Sequence, residues 1–102
     1  MTLAYVALGA NLGNPIQTVK SALDHLNAIA ATRRLAASSL YRTAPVGIRH
    51  QPDFINAVAL LETQLAPQAL LDALFAIERQ FGRQRSVRNA PRTLDLDLLL
   101  HG

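Results

Sequence analysis

The sequence predicts an α+β sandwich, and three observations carry that reading. Four short apolar runs are interleaved with two stripes at helical spacing, in the order βαββαβ. Glycine, proline and asparagine punctuate the stretches 9–15, 44–53 and 82–91. The chain has 102 residues, 50% of them hydrophobic, which suits a single core and a single domain over 1–102. The βαββαβ order is the ferredoxin-like arrangement, an antiparallel sheet with both helices on one face.

Leu3 to Leu8 is an apolar run ended by Gly9-Ala10-Asn11-Leu12-Gly13-Asn14-Pro15, read as a strand followed by a tight turn. Asn14 suits an N-cap and Pro15 the first helical position. Ile16, Val19, Leu23, Leu26 and Ile29 then recur at helical spacing, so a helix is expected over residues 15–30. Leu35 to Thr43 is the second strand, and Ala44 to Asp53 a loop. Phe54 to Thr63 is the third strand; it is apolar on both faces and therefore central. Pro67 opens the second helix, with Leu70, Leu71, Leu74, Ile77 and Phe81 on its buried stripe and Gly82 as its stop. Thr93 to Leu100 is the last strand.

Composition narrows the chemistry. The absence of cysteine removes disulfides, thiolate metal sites and Cys nucleophiles, and fits a reducing cytosol. The N-terminus lacks a basic n-region and no run is long enough for a bilayer, so neither a signal peptide nor a membrane partner is expected. Two Tyr, three Phe and no Trp make the core aliphatic. The net charge of +3 comes almost entirely from arginine, with Lys20 the one lysine. Five of the ten basic residues (Arg79, Arg83, Arg85, Arg88 and Arg92) fall in one stretch without an intervening acid. Such a cluster suits an anionic ligand.

That stretch runs directly into Thr93-Leu94-Asp95-Leu96-Asp97-Leu98. Residues i and i+2 of a strand share a face, so Asp95 and Asp97 stand side by side, roughly 6–7 Å apart, with Leu94, Leu96 and Leu98 opposite. Alternating Asp and Leu alone is the ordinary pattern of a half-exposed strand. Arginines at a helix end are often just solvated, or paired with acids such as Glu78. Yet like charges at i and i+2 repel, and Asp is a poor strand former. Paired carboxylates hold Mg²⁺ together with phosphate oxygens and water, and guanidinium forks match the same phosphates. Together the aspartates and arginines read as a metal–nucleotide site.

Phe54 and Asn56 share a strand face beside Thr43, Pro45 and Gly47, and an aromatic with an amide can stack on and read a flat heterocycle. A core Phe with a strand-end Asn fits the pattern equally well. The Gly9–Pro15 segment matches neither G-x-G-x-x-G nor G-x-x-x-x-G-K-[ST], and its simpler role is the turn. His25, His50 and His101 lack metal spacing, and His25 reads as a surface residue. An RNA-binding domain of the same topology would carry aromatics on its strands where this one carries aspartates, so no nucleic-acid partner is expected.

Four blocks give the chain a family resemblance: Leu8-Gly9-Ala10-Asn11-Leu12-Gly13, Tyr41-Arg42-Thr43-Ala44-Pro45-Val46-Gly47, Gln51-Pro52-Asp53-Phe54-Ile55-Asn56-Ala57 and Pro91-Arg92-Thr93-Leu94-Asp95-Leu96-Asp97. In this order they resemble the 6-hydroxymethyl-7,8-dihydropterin pyrophosphokinases of folate biosynthesis. The resemblance implies pyrophosphate transfer from ATP to the pterin hydroxymethyl group, giving AMP and the pterin diphosphate. It implies two Mg²⁺ on Asp95 and Asp97, and assistance to the transfer from Arg83 and Arg92. Glu78, Arg85, Arg88 and Leu98 would line the ATP site; Thr43, Ala44 and Val46 would meet the pterin edge. Phe54 would stack on the ring and Asn56 hydrogen-bond it. The expected partners are these small molecules, the expected state a monomer, and the expected compartment the cytoplasm. Asn89 stands where the family usually has an aromatic, and the family's usual C-terminal part is lacking after Gly102. The resemblance therefore implies either a piece of a longer protein or a shortened variant, with a non-catalytic nucleotide- or pterin-binding remnant as the alternative.

Overall fold

A computed structural model of the chain describes residues 1–45, 47, 50–82 and 93–102. The elements run β1 (Thr2–Ala10), α1 (Pro15–Asn27), β2 (Thr32–Ala37), β3 (Tyr41–Thr43), β4 (Phe54–Thr63), α2 (Pro67–Gln80) and β5 (Asp95–His101). The sheet is antiparallel with the order β2-β4-β1-β5, and β3 joins the same edge of β4 as β2. With β2 and β3 taken as one interrupted strand, this is the expected βαββαβ sandwich. No described helix is long and apolar enough to cross a membrane.

Alternation divides the sheet. Ala4, Val6, Leu8 and Ala10 of β1, Ile55, Ala57, Ala59 and Leu61 of β4, and Leu94 and Leu96 at β5 are all buried. They form one core with Val19, Ala22, Leu23 and Leu26 of α1 and Leu70, Leu74 and Ile77 of α2, so both helices cover the same face. Leu98 packs at the edge of this core. The small residues Ala4, Ala57 and Ala59 sit on the central strands β1 and β4. The larger Val6, Leu8 and Leu61 stand on the same strands, and close packing needs this interdigitation of sizes. The other face of the sheet carries no helix among the described residues.

Local signals act as expected at the helix ends. The Asn14 side chain accepts from the Gln17 N–H at 3.3 Å, with Pro15 at the first helical position. Gly82 takes a φ of +78° after α2, the left-handed conformation that suits glycine at a helix stop. Helix α1 ends at Asn27 rather than residue 30, because the Ala28 and Ile29 N–H groups turn back to His25 and Leu26. His25 is half-buried rather than on the surface: its Nδ1 lies 2.9 Å from the Ser21 carbonyl and its ring meets Phe81 edge-on at 5.2 Å.

The expected strand Leu35–Thr43 divides in two. The register of β2 against β4 slips between Arg34 and Ala36. Ser38 then leaves the ladder while still satisfying it: its N–H donates to the Val58 carbonyl at 2.8 Å, and its Oγ accepts from the Val58 N–H at 2.9 Å. A hydroxyl thus stands where a strand would offer a carbonyl, and pairing resumes only at Tyr41. The first strand differs the other way. Gly9 and Ala10, expected to turn, continue β1 opposite Asn56 and Ile55.

Candidate active site on the open sheet face

The register brings the chemistry-bearing residues into one row. Asp95 of β5 faces Gly9 of β1, Gly9 faces Asn56 of β4, and Asn56 faces Tyr41 of β3. Asp97 lies in the neighbouring row opposite Ala7, and Phe54 pairs with Thr43 at the end of β3. All these side chains belong to the face without helices. Strands about 4.8 Å apart put Asp95 and Asn56 roughly 10 Å from one another, with Gly9 between. Asp95 is half-buried and Asp97 exposed, while Leu94 and Leu96 are buried on the far side, as the alternation requires.

Gly9 is the floor of this row. A Cβ built on it would stand 3.2 Å from Asn56 Oδ1 and 4.0 Å from the Phe54 ring. Glycine therefore keeps open a gap that any other residue would narrow. Asn56 is oriented from its other side: its Nδ2 donates to Thr43 Oγ1 at 2.8 Å, with longer contacts to the Tyr41 and Phe54 carbonyls at 3.4 Å. With the amide donors turned to β3, the carbonyl oxygen faces the gap as an acceptor. Ala44 follows Thr43 at the exposed rim.

The stretch leading into Phe54 is fixed from beneath. Asn11 is buried, and its Nδ2 donates to Gln51 Oε1 at 2.8 Å and to the Pro52 carbonyl at 3.1 Å. The end of β1 thereby holds residues 51–52 in place. Sequence reasoning passed over Gly9, Asn11 and Gln51 as site residues. The signal available was that all three lie within the quoted blocks.

Two residues expected beside ATP lie toward the core. Glu78 is buried, and its Oε2 accepts from the Leu96 N–H at 2.7 Å; Leu98 is half-buried against the core. Val46, Arg83, Arg85, Arg88 and Arg92, with Asn89, lie outside the described residues. No group of three or more His, Asp or Glu side chains converges among the described residues. Asp95 and Asp97 nevertheless offer adjacent hard oxygen donors on an accessible face. That donor set fits Mg²⁺, which fills its remaining positions with water and phosphate oxygens.

One sheet face thus pairs carboxylates on one strand with an oriented amide and an aromatic on another. Comparison with known proteins identifies the class. Residues 5–102 match the family described as 7,8-dihydro-6-hydroxymethylpterin-pyrophosphokinase (HPPK), and the chain belongs to that family. It is 53% identical over 98 residues to the 2-amino-4-hydroxy-6-hydroxymethyldihydropteridine pyrophosphokinase of Pseudomonas aeruginosa, covering 96% of this chain and 60% of that protein. It is 46% identical over 102 residues to the enzyme of the same name from Haemophilus influenzae, covering 100% of this chain and 64% of that one. With the Pseudomonas putida protein of that name the identity is 54% over 97 residues, covering 95% and 80%. The chain thus spans less than two thirds of the length of the first two relatives.

Proposed function

We propose that this chain carries the pyrophosphokinase reaction of its family: ATP and 6-hydroxymethyl-7,8-dihydropterin give AMP and the pterin diphosphate. The observation that carries the reading is the cross-strand row Asp95–Gly9–Asn56, which brings a carboxylate and an oriented amide to one face with a glycine between them.

Asn56 Oδ1 accepts from a ring N–H of the pterin, and the Phe54 ring stacks against its plane. Thr43 and Ala44 border the same edge, with Val46 as the further pterin contact. Asp95 and Asp97 would hold two Mg²⁺, which when bound would supply charge neutralisation of the triphosphate and a lowered pKa for the attacking hydroxyl. The pterin hydroxymethyl oxygen attacks the β-phosphorus, the bond from that phosphorus to the α,β-bridging oxygen breaks, the hydroxyl proton is lost, and AMP leaves. Arg83 and Arg92 stabilise the charge developing on the leaving oxygens, and Arg85 and Arg88 bind the nucleotide. The protein supplies position and field, with no covalent intermediate. The cytoplasm, where both substrates would be available, is the compartment consistent with a chain free of cysteine.

The test is AMP release from ATP and Mg²⁺, with and without the pterin, for the 102-residue chain and for Asp97→Ala. Pterin-dependent AMP that disappears in the variant is the expected result. Substrate binding without AMP release from the folded wild-type chain overturns the reading in favour of a binding remnant.

A further inference from the structure

Glu78 is a charged residue on the buried stripe of α2, one turn beyond Leu74 and next to Ile77. A buried carboxylate is costly unless it is satisfied. Among the groups it meets is the Leu96 N–H, which donates to Glu78 Oε2 at 2.7 Å in a buried contact. β5 pairs with β1 alone among the described strands, so every second N–H along β5 points away from the sheet. Glu78 takes that outward N–H in the residue between Asp95 and Asp97.

The position matters because the Leu96 N–H belongs to the peptide joining Asp95 to Leu96. Holding that peptide limits rotation about the bonds that set where the two carboxylates point. At 2.7 Å the bond is short, as an ionised acceptor makes it. Glu78 acts from the covered side of the sheet, while Asp95 and Asp97 project from the open side.

We infer that Glu78 is a positioning residue for the paired aspartates. It sets their mutual orientation through the Leu96 amide rather than by touching nucleotide. The inference rests on the proposed reading of Asp95 and Asp97 as cation ligands. Outer partners that orient metal ligands typically contribute about 10- to 100-fold to metal affinity.

Two variants separate reach from charge. Glu78→Gln keeps an acceptor oxygen in place but removes the charge. Glu78→Asp keeps the charge but withdraws it by about one C–C bond, roughly 1.5 Å. The probe is Mn²⁺ with α,β-methylene-ATP, followed by electron paramagnetic resonance of free Mn²⁺. Exchange of the Leu96 amide is measured by NMR on the same folded proteins. Expected are a slowly exchanging Leu96 amide in the wild type and, in Glu78→Asp, faster exchange with Mn²⁺ affinity weakened about tenfold or more. Glu78→Gln is expected to lose less on both counts. The reverse order, with Gln the weaker binder while its Leu96 amide stays protected, would overturn the inference and make the charge a ligand contact. Rapid Leu96 exchange in the wild type would overturn it without any variant. Wild-type Mn²⁺ binding that Asp97→Ala leaves unchanged would instead sink the cation-site reading itself, and the inference with it.

Discussion

The two faces of the sheet follow opposite rules. On the covered face β1, β4 and β5 present Ala, Val, Leu and Ile, selected by volume against two helices. On the open face, the same strands at the Gly9 end present Asp95, Asp97, Asn56, Phe54 and an empty glycine position. None of these open-face groups belongs to the buried core. Neighbours in sequence therefore have separate duties, and Leu96 and Asp97 are the sharpest pair. The core lies on one side and the proposed chemistry on the other, with Glu78 meeting the Leu96 amide between the two aspartates.

Substitutions can break or sharpen this contrast. The largest effect is expected from Asp97→Ala, which should abolish pterin-dependent AMP release while moving the urea-unfolding free energy by no more than about 1 kcal/mol. Leu96→Ala, one residue away, should do the converse. It should lose about 2–5 kcal/mol in the same unfolding measurement, because a buried leucine is replaced by a cavity. Activity retained by whatever fraction stays folded would confirm the separation. Next comes Gly9→Ala. The added methyl would stand 3.2 Å from Asn56 Oδ1, so the gap narrows while the extended backbone tolerates alanine. The KM for the pterin should rise about tenfold, roughly 1.4 kcal/mol of lost binding, with an unchanged unfolding midpoint. An unchanged KM would remove Gly9 from the site. The smallest effect belongs to a residue on neither face: Asn14→Ala should cost about 1 kcal/mol by loss of the α1 cap, read by thermal unfolding, with kcat untouched.

Much of this arrangement is legible in the sequence where one residue carries its own signal. Phe54–Thr63 is a strand with the expected bounds, since ten residues apolar on both faces fit a central position. The alternation of Asp and Leu assigns Asp95 and Asp97 to one face and Leu94 and Leu96 to the other, as the burial bears out. The readings that fail concern residues whose role depends on a distant partner. Gly9 looks like a turn glycine because glycine usually punctuates strands. Its actual neighbour, Asn56, is set by cross-strand register and not by local pattern. Ser38 divides the second strand because its hydroxyl replaces a ladder carbonyl opposite Val58, which no periodicity encodes. The burial of Glu78 against the Leu96 amide is likewise not encoded locally, and follows only once β5 is known to lie beside α2 at the edge of the described sheet.

The most direct test of the separation between the faces is a paired measurement on Asp97→Ala and Leu96→Ala: AMP release with and without the pterin, and urea unfolding, on the same preparations. Asp97→Ala is expected to be folded and inactive, and Leu96→Ala destabilised but active where folded. A destabilised Asp97→Ala, or one that retains full activity, would contradict that separation.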